Sequence, residues 1–170
     1  MKKAVAILIL ISSLVIQGCN KYPINPNYPD AYVDITINLN DYRYYALRFD
    51  GGYMYLTPDI YPNSSQPETS SRGIIVYRII DEFRAYDRLP PNYPNACTDS
   101  EGNTTRLVGE SLYVVDQCNN AYYNILNGAL EVNEEFGMVP TFPTDSVAVY
   151  PLIQYATSFD GTTLRIRNSF

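Results

Sequence analysis

The sequence predicts an all-β protein of about ten short strands in small packed antiparallel sheets. Three observations lead there. Apolar and polar residues alternate over short runs, as in Val33-Asp34-Ile35-Thr36-Ile37-Asn38-Leu39, which buries one side of a strand and wets the other. Gly, Pro, Asn and Asp punctuate these runs at short intervals, as turns require. No stretch carries a convincing helical period, while tyrosine, which suits pleated half-buried surfaces, occurs 17 times.

Taken in order, residues 33–39 form the first expected strand and residues 43–49 the second, with Tyr45, Leu47 and Phe49 on one side. Asp50-Gly51-Gly52 reads as a turn, and residues 53–56 return from it as a hairpin. Residues 57–71, rich in Pro, Ser and Asn, read as a surface loop. The run 73–80, β-branched and apolar almost throughout, suits a central strand, and residues 83–87 follow it through an Asp81-Glu82 turn. A loop with Cys97 and a polar connector, 98–106, lead to a strand at 112–115. A second loop with Cys118 leads to a strand at 122–126. Asn127-Gly128 then joins residues 129–132; between two strand patterns this pair predicts a type I′ turn, whose central residues both need positive φ. An acidic loop, 133–146, precedes two last strands at 148–156 and 162–167.

The N-terminus reads differently. Lys2 and Lys3 precede an apolar stretch, 4–16, that falls short of the roughly 20 residues a spanning helix needs, and residues 1–18 fit a secretory signal. The junction Ile16-Gln17-Gly18-Cys19 resembles the lipobox of bacterial lipoproteins, in which the signal is removed and the cysteine acylated. That resemblance implies lipidation at Cys19 and a membrane as partner through this anchor. Asn20 stands where an aspartate would favour inner-membrane retention, which points to the outer membrane, on its periplasmic or its surface face. The other reading is a plain signal peptide with an incidental cysteine. In residues 19–30, Tyr22-Pro23, Asn25-Pro26 and Tyr28-Pro29 make an extended tether, leaving residues 31–170 as one domain.

Composition excludes several functions. The formal net charge is −6, and loss of Lys2 and Lys3 makes the mature chain more acidic, so nucleic acid is not an expected partner. Histidine is absent, which rules out His-dependent acid–base catalysis, a Ser-His-Asp triad and any His-ligated metal. In an exported chain, the two cysteines beyond Cys19 most simply form one disulfide, Cys97–Cys118; the alternative is two free thiols. Such a bridge stabilises a chain by about 3 kcal/mol in the chain-entropy model. Asp116, Asn119, Asn120 and Asn92 offer oxygen atoms for a hard cation, or equally the local hydrogen bonds of turns. Tyr42, Tyr44, Tyr45, Tyr53 and Tyr55, with Tyr113, Tyr122 and Tyr123, suggest either a binding face or half-buried strand residues with wet hydroxyls.

The order is a strand ending Phe83-Arg84-Ala85-Tyr86-Asp87-Arg88, a cysteine loop, a strand, a cysteine loop, a strand, Asn127-Gly128, then Tyr150-Pro151-Leu152-Ile153-Gln154-Tyr155 and a final hairpin. It resembles a Rieske domain, in particular the Rieske-like lipoproteins of Bacteroidetes-type bacteria, over residues 44–167. In Rieske domains one loop supplies Cys-x-His and the other Cys-x-x-His to a two-iron two-sulfur cluster. In some branches an extra cysteine in each loop forms a disulfide beneath it. Here the ligand positions fall on Pro90, Asn92, Asp116 and Asn119, so all four ligands are replaced, while the bridging positions fall on Cys97 and Cys118. The resemblance thus implies a Rieske-like fold whose tip, loops 87–97 and 115–123, is degenerate. It implies no iron–sulfur cluster, no metal and no catalytic residue. The expected function is a lipid-anchored, non-enzymatic structural or interaction module with an envelope protein as partner. The alternatives are a Rieske-type electron-transfer protein and a surface adhesin that binds glycans or peptides.

Overall fold

The computed structural model describes residues 32–57, 73–92, 97–98, 100, 102, 105–142 and 148–168. The signal 1–18, Cys19, the tether 19–30 and nearly all of the loop expected at 57–71 lie outside them. Ten strands stand among the described residues: β1 (Asp34–Asn38), β2 (Tyr53–Leu56), β3 (Ile74–Ile79), β4 (Glu82–Asp87), β5 (Val108–Glu110), β6 (Tyr113–Asp116), β7 (Ala121–Asn124), β8 (Leu130–Glu131), β9 (Gln154–Phe159) and β10 (Thr163–Arg167). They form a six-stranded sheet in the order β1-β10-β9-β4-β3-β2 and a four-stranded sheet in the order β5-β6-β7-β8. Every pairing is antiparallel. The chain is all-β, as its alternation predicts.

The apolar run at 74–77 of β3 has a physical cause: this part of the strand is covered on both faces. Ile74 and Val76 point into one core with Val33, Ile35 and Ile37 of the β1 arm, Leu164 and Ile166 of β10, and Phe83 and Ala85 of β4. Ile75 and Tyr77 point the other way, into a second core with Tyr86, Leu107, Val114, Ala121, Tyr123 and Leu152, where the small sheet packs on the large one. Period-two alternation is thus kept over residues 74–77, with both sets of side chains buried.

The sheets approach closely at Gly109. A Cβ there would lie 2.5 Å from the Tyr77 hydroxyl oxygen and 2.8 Å from both Ile75 Cδ1 and Tyr53 Cε2. Hydrogen bonds replace the missing side chain. Gly109 N–H donates to the Tyr55 hydroxyl at 2.9 Å, Tyr77 O–H donates to Tyr113 O at 2.9 Å, and Tyr86 O–H donates to Ile125 O at 2.7 Å. The Arg88 guanidinium stacks 4.0 Å from the Tyr55 ring centre and donates to Leu107 O at 2.9 Å, tying the base of the first cysteine loop to β5.

Four local expectations are corrected. Residues 43–49 are not a strand: Tyr42–Arg48 is a 3-10 helix, capped by Asp41, whose side chain accepts the Arg43 N–H. Tyr44 and Leu47, three residues apart, are its buried positions, while Tyr45 and Phe49 are exposed. Consequently β2 does not form a hairpin with the segment before it, and pairs instead with β3. The short strand β5 falls between the expected connector, 98–106, and the expected strand at 112–115, in residues assigned to no element. Finally, β7 and β8 do pair, but through a longer turn than type I′: of Asn127 and Gly128 only Gly128 takes positive φ, at 73°.

Candidate functional site

The two cysteine loops leave the ends of β4 and β6. At the end of β4, Asp87 is fully buried, and its carboxylate accepts from Leu89 N–H at 2.7 Å and from Tyr155 O–H at 2.6 Å. Asp87 N–H donates to Ile153 O at 2.9 Å, so the base of this loop is fastened to the segment leading into β9. Buried Pro90, Pro91 and Asn92 follow. Two prolines in succession hold φ near −65° and carry no N–H to satisfy, a low-cost way to route chain through the interior.

Asn92 is 8% exposed and bonded at both ends of its amide. It donates from Nδ2 to the Tyr123 hydroxyl at 2.9 Å, and accepts at Oδ1 from Tyr150 N–H at 3.2 Å. The first loop is thereby joined to β7 and to the segment before β9. Burial raises the pKa of Tyr123 well above the usual tyrosine value; the amide of Asn92 works against that shift, and the Asp116 carboxylate adds to it. The Tyr123 hydroxyl is thus neutral at physiological pH, fit to share a hydrogen bond with an amide.

The second loop is closed by Asp116, itself 3% exposed. Its Oδ1 accepts from Cys118 N–H at 3.1 Å and Asn119 N–H at 3.4 Å, and its Oδ2 accepts from Asn119 Nδ2 at 2.7 Å. This is the local turn chemistry available to Asp, the more ordinary of the two readings open for it. Asn119 reaches onward: its backbone O accepts from Thr141 N–H at 2.8 Å and its Oδ1 from the Thr141 hydroxyl at 3.4 Å. Asn120, at φ 50°, donates from Nδ2 to Gly137 O and Val139 O at 2.8 and 3.0 Å. Its αL backbone is one Asn tolerates more readily than most residues.

Cys97 and Cys118 face each other at disulfide distance, with Cα atoms 6.0 Å apart. The four positions singled out by resemblance, Pro90, Asn92, Asp116 and Asn119, are all buried. Asp116 and Asn119 are bonded to each other, and Asn92 is bonded to Tyr123 of β7. Among the described residues no three His, Cys, Asp or Glu side chains gather as a metal site would need. Glu134 and Glu135, adjacent and exposed, stand apart from this network.

Tyr123, Thr141 and the Tyr150 backbone escape sequence reasoning, because each meets its partner across a long stretch of chain. Tyr123 and Tyr44 are also withdrawn from any tyrosine binding face, since both are buried; Tyr42, Tyr45 and Tyr53 remain exposed. In comparisons with protein-family models, curated proteins and solved structures, the chain matches none of them.

Proposed function

We propose that this chain is a lipid-anchored cell-envelope protein whose Rieske-like domain has lost its cluster ligands and acts as a non-enzymatic structural or interaction module. The observation that carries the reading is the network at the tip. The three polar residues at the replaced ligand positions spend their hydrogen-bonding groups on protein partners, beside a cysteine pair at disulfide distance. The donor set does not fit an iron–sulfur cluster. Such clusters are held by thiolates, or in Rieske centres by two thiolates and two imidazoles. Proline offers no side-chain donor, Asn and Asp offer hard oxygen and amide atoms, and the two sulfurs are placed to bond each other.

The order of the strands supports the same reading. A four-stranded sheet carries the second loop, the first loop leaves the centre of the six-stranded sheet, and the two tips meet. In this reading a covalent bridge and side-chain hydrogen bonds hold the loops together where a cluster otherwise would. The envelope part of the proposal stands on Cys19 and the signal before it. Growth with an alkyne-bearing fatty acid tests it: label enters the full-length chain and sediments with the membrane fraction, and Cys19→Ser abolishes both. Labelling that survives in Cys19→Ser, or a wild-type chain that stays unlabelled, overturns the anchor.

A further inference from the structure

We propose that the turn at residues 133–138 is a preformed docking finger for a partner protein, with Phe136 as its apolar anchor and Glu134 and Glu135 selecting a basic rim around the partner's pocket. This rests on the reading of the chain as an interaction module and gives that module its contact site. Phe136 is 71% exposed, and Val132 and Val139 at the base of the turn are 55% and 44% exposed.

An exposed Phe on a slack loop would mean little. Here the backbone that carries it is braced at every level. Asn133 and Met138 close the turn with reciprocal bonds, N–H to O at 2.9 and 2.8 Å. Inside it, Asn133 Oδ1 accepts from Glu135 N–H at 3.1 Å and Phe136 N–H at 3.3 Å, and Gly137 N–H donates to Glu134 O at 3.1 Å. From outside, the Asn120 amide grips Gly137 O and Val139 O. The second cysteine loop therefore holds the finger, and folding has already ordered the backbone that binding would need ordered. Such preorganisation raises affinity by lowering the entropy lost on contact. Aromatic residues that fill a pocket are the usual energetic centre of an interface.

Chemistry selects the occupant. Two carboxylates beside the ring repel an anionic lipid surface and resist transfer into hydrocarbon, which disfavours a bilayer. A second copy of the chain is a poor match, because its formal net charge of −6 would set acidic surface against acidic surface. A separate protein whose apolar pocket is bordered by Lys or Arg complements both the ring and the charge.

The probe is p-benzoylphenylalanine, placed at position 136 of the full-length chain in its own cells and, as control, at Leu112, which is 64% exposed on the turn between β5 and β6. After irradiation, the chain with the probe at 136 gives an adduct with one other protein, mapped to an apolar segment bordered by Lys or Arg. Adding Glu134→Gln and Glu135→Gln lowers its yield by about threefold or more. Four results overturn the proposal: no adduct above the Leu112 control, an adduct with lipid, an adduct with a second copy, or a yield unaffected by the Gln substitutions. Circular dichroism confirms that each variant is folded. The label at Cys19 and the adduct at position 136 are scored in the same cells, so a chain that is labelled but gives no adduct sinks the contact site alone, and an unlabelled chain sinks the anchor.

Discussion

At Asp116 three N–H donors converge on one buried carboxylate, and the second loop takes its shape from them. Asp116→Ala strands two backbone donors and an amide, and is expected to cost about 3 kcal/mol, while Asp116→Asn, which keeps one acceptor, costs about half as much. Urea unfolding at neutral pH checks both; an unchanged midpoint for the Ala variant would mean that the loop is held by something else. Half of this site was legible in the sequence. Asp116 and Asn119 stand three residues apart, in the pattern of an Asp that caps its own turn. The partners of Asn92, Tyr123 and the Tyr150 backbone, are 31 and 58 residues away, and nothing in local spacing announces either. Such pairings are set by how sheets stack.

At the scale of elements, period-two patterns located several strands but misplaced β9, expected at 148–156 and observed at Gln154–Phe159. Alternation in 33–39 and 162–167, and the apolar run at 73–80, became β1, β10 and β3. Alternation misled at 43–49 because Tyr45, Leu47 and Phe49 mimic a strand face, whereas the packing selects Tyr44 and Leu47 at a spacing of three. Asp41, which starts that helix, was the overlooked signal. The strand β5 was illegible for another reason: it has three residues, and its centre is Gly109, a residue that weakens a strand in isolation. Glycine is required there by the Tyr77 hydroxyl and the Tyr53 ring pressing on it from the large sheet. Gly109→Ala is therefore expected to destabilise the domain by about 2–3 kcal/mol through overpacking, and to shift its thermal midpoint accordingly. Gly137→Ala, open to solvent, meets no atom within 4 Å; its φ of 71° costs only local strain. A comparison of the two by calorimetry separates steric from backbone effects.

Across the whole molecule, buried tyrosine serves as a polar pin within and between layers, where its abundance suggested half-buried strand residues with wet hydroxyls or a binding face. Tyr77, Tyr86, Tyr123 and Tyr155 are essentially inaccessible, and each has its hydroxyl bonded inside. Burial pushes Tyr86 up to about 12 and Tyr77 and Tyr123 higher still. The folded state thus favours the neutral hydroxyls. Their contribution to stability is full below the ordinary value of 10.0, and is lost as pH rises from there through the folded values. Phenolate absorbance followed alongside circular dichroism should show Tyr77, Tyr86 and Tyr123 ionising only as the sheets come apart. Ionisation of these three while the circular dichroism stays native would contradict the two-layer packing.

The tip bears most directly on what the protein does, and one spectrum tests it. Purified domain, reduced and incubated with ferrous iron and sulfide, then desalted, is examined by visible absorption and EPR beside a Cys97→Ser/Cys118→Ser variant. With Pro90, Asn92, Asp116 and Asn119 at the positions proposed to correspond to the Rieske ligands, neither protein should retain a two-iron two-sulfur signal. A Rieske-type EPR signal carried by the folded wild-type chain would contradict the proposal that its loops have exchanged a cluster for hydrogen bonds.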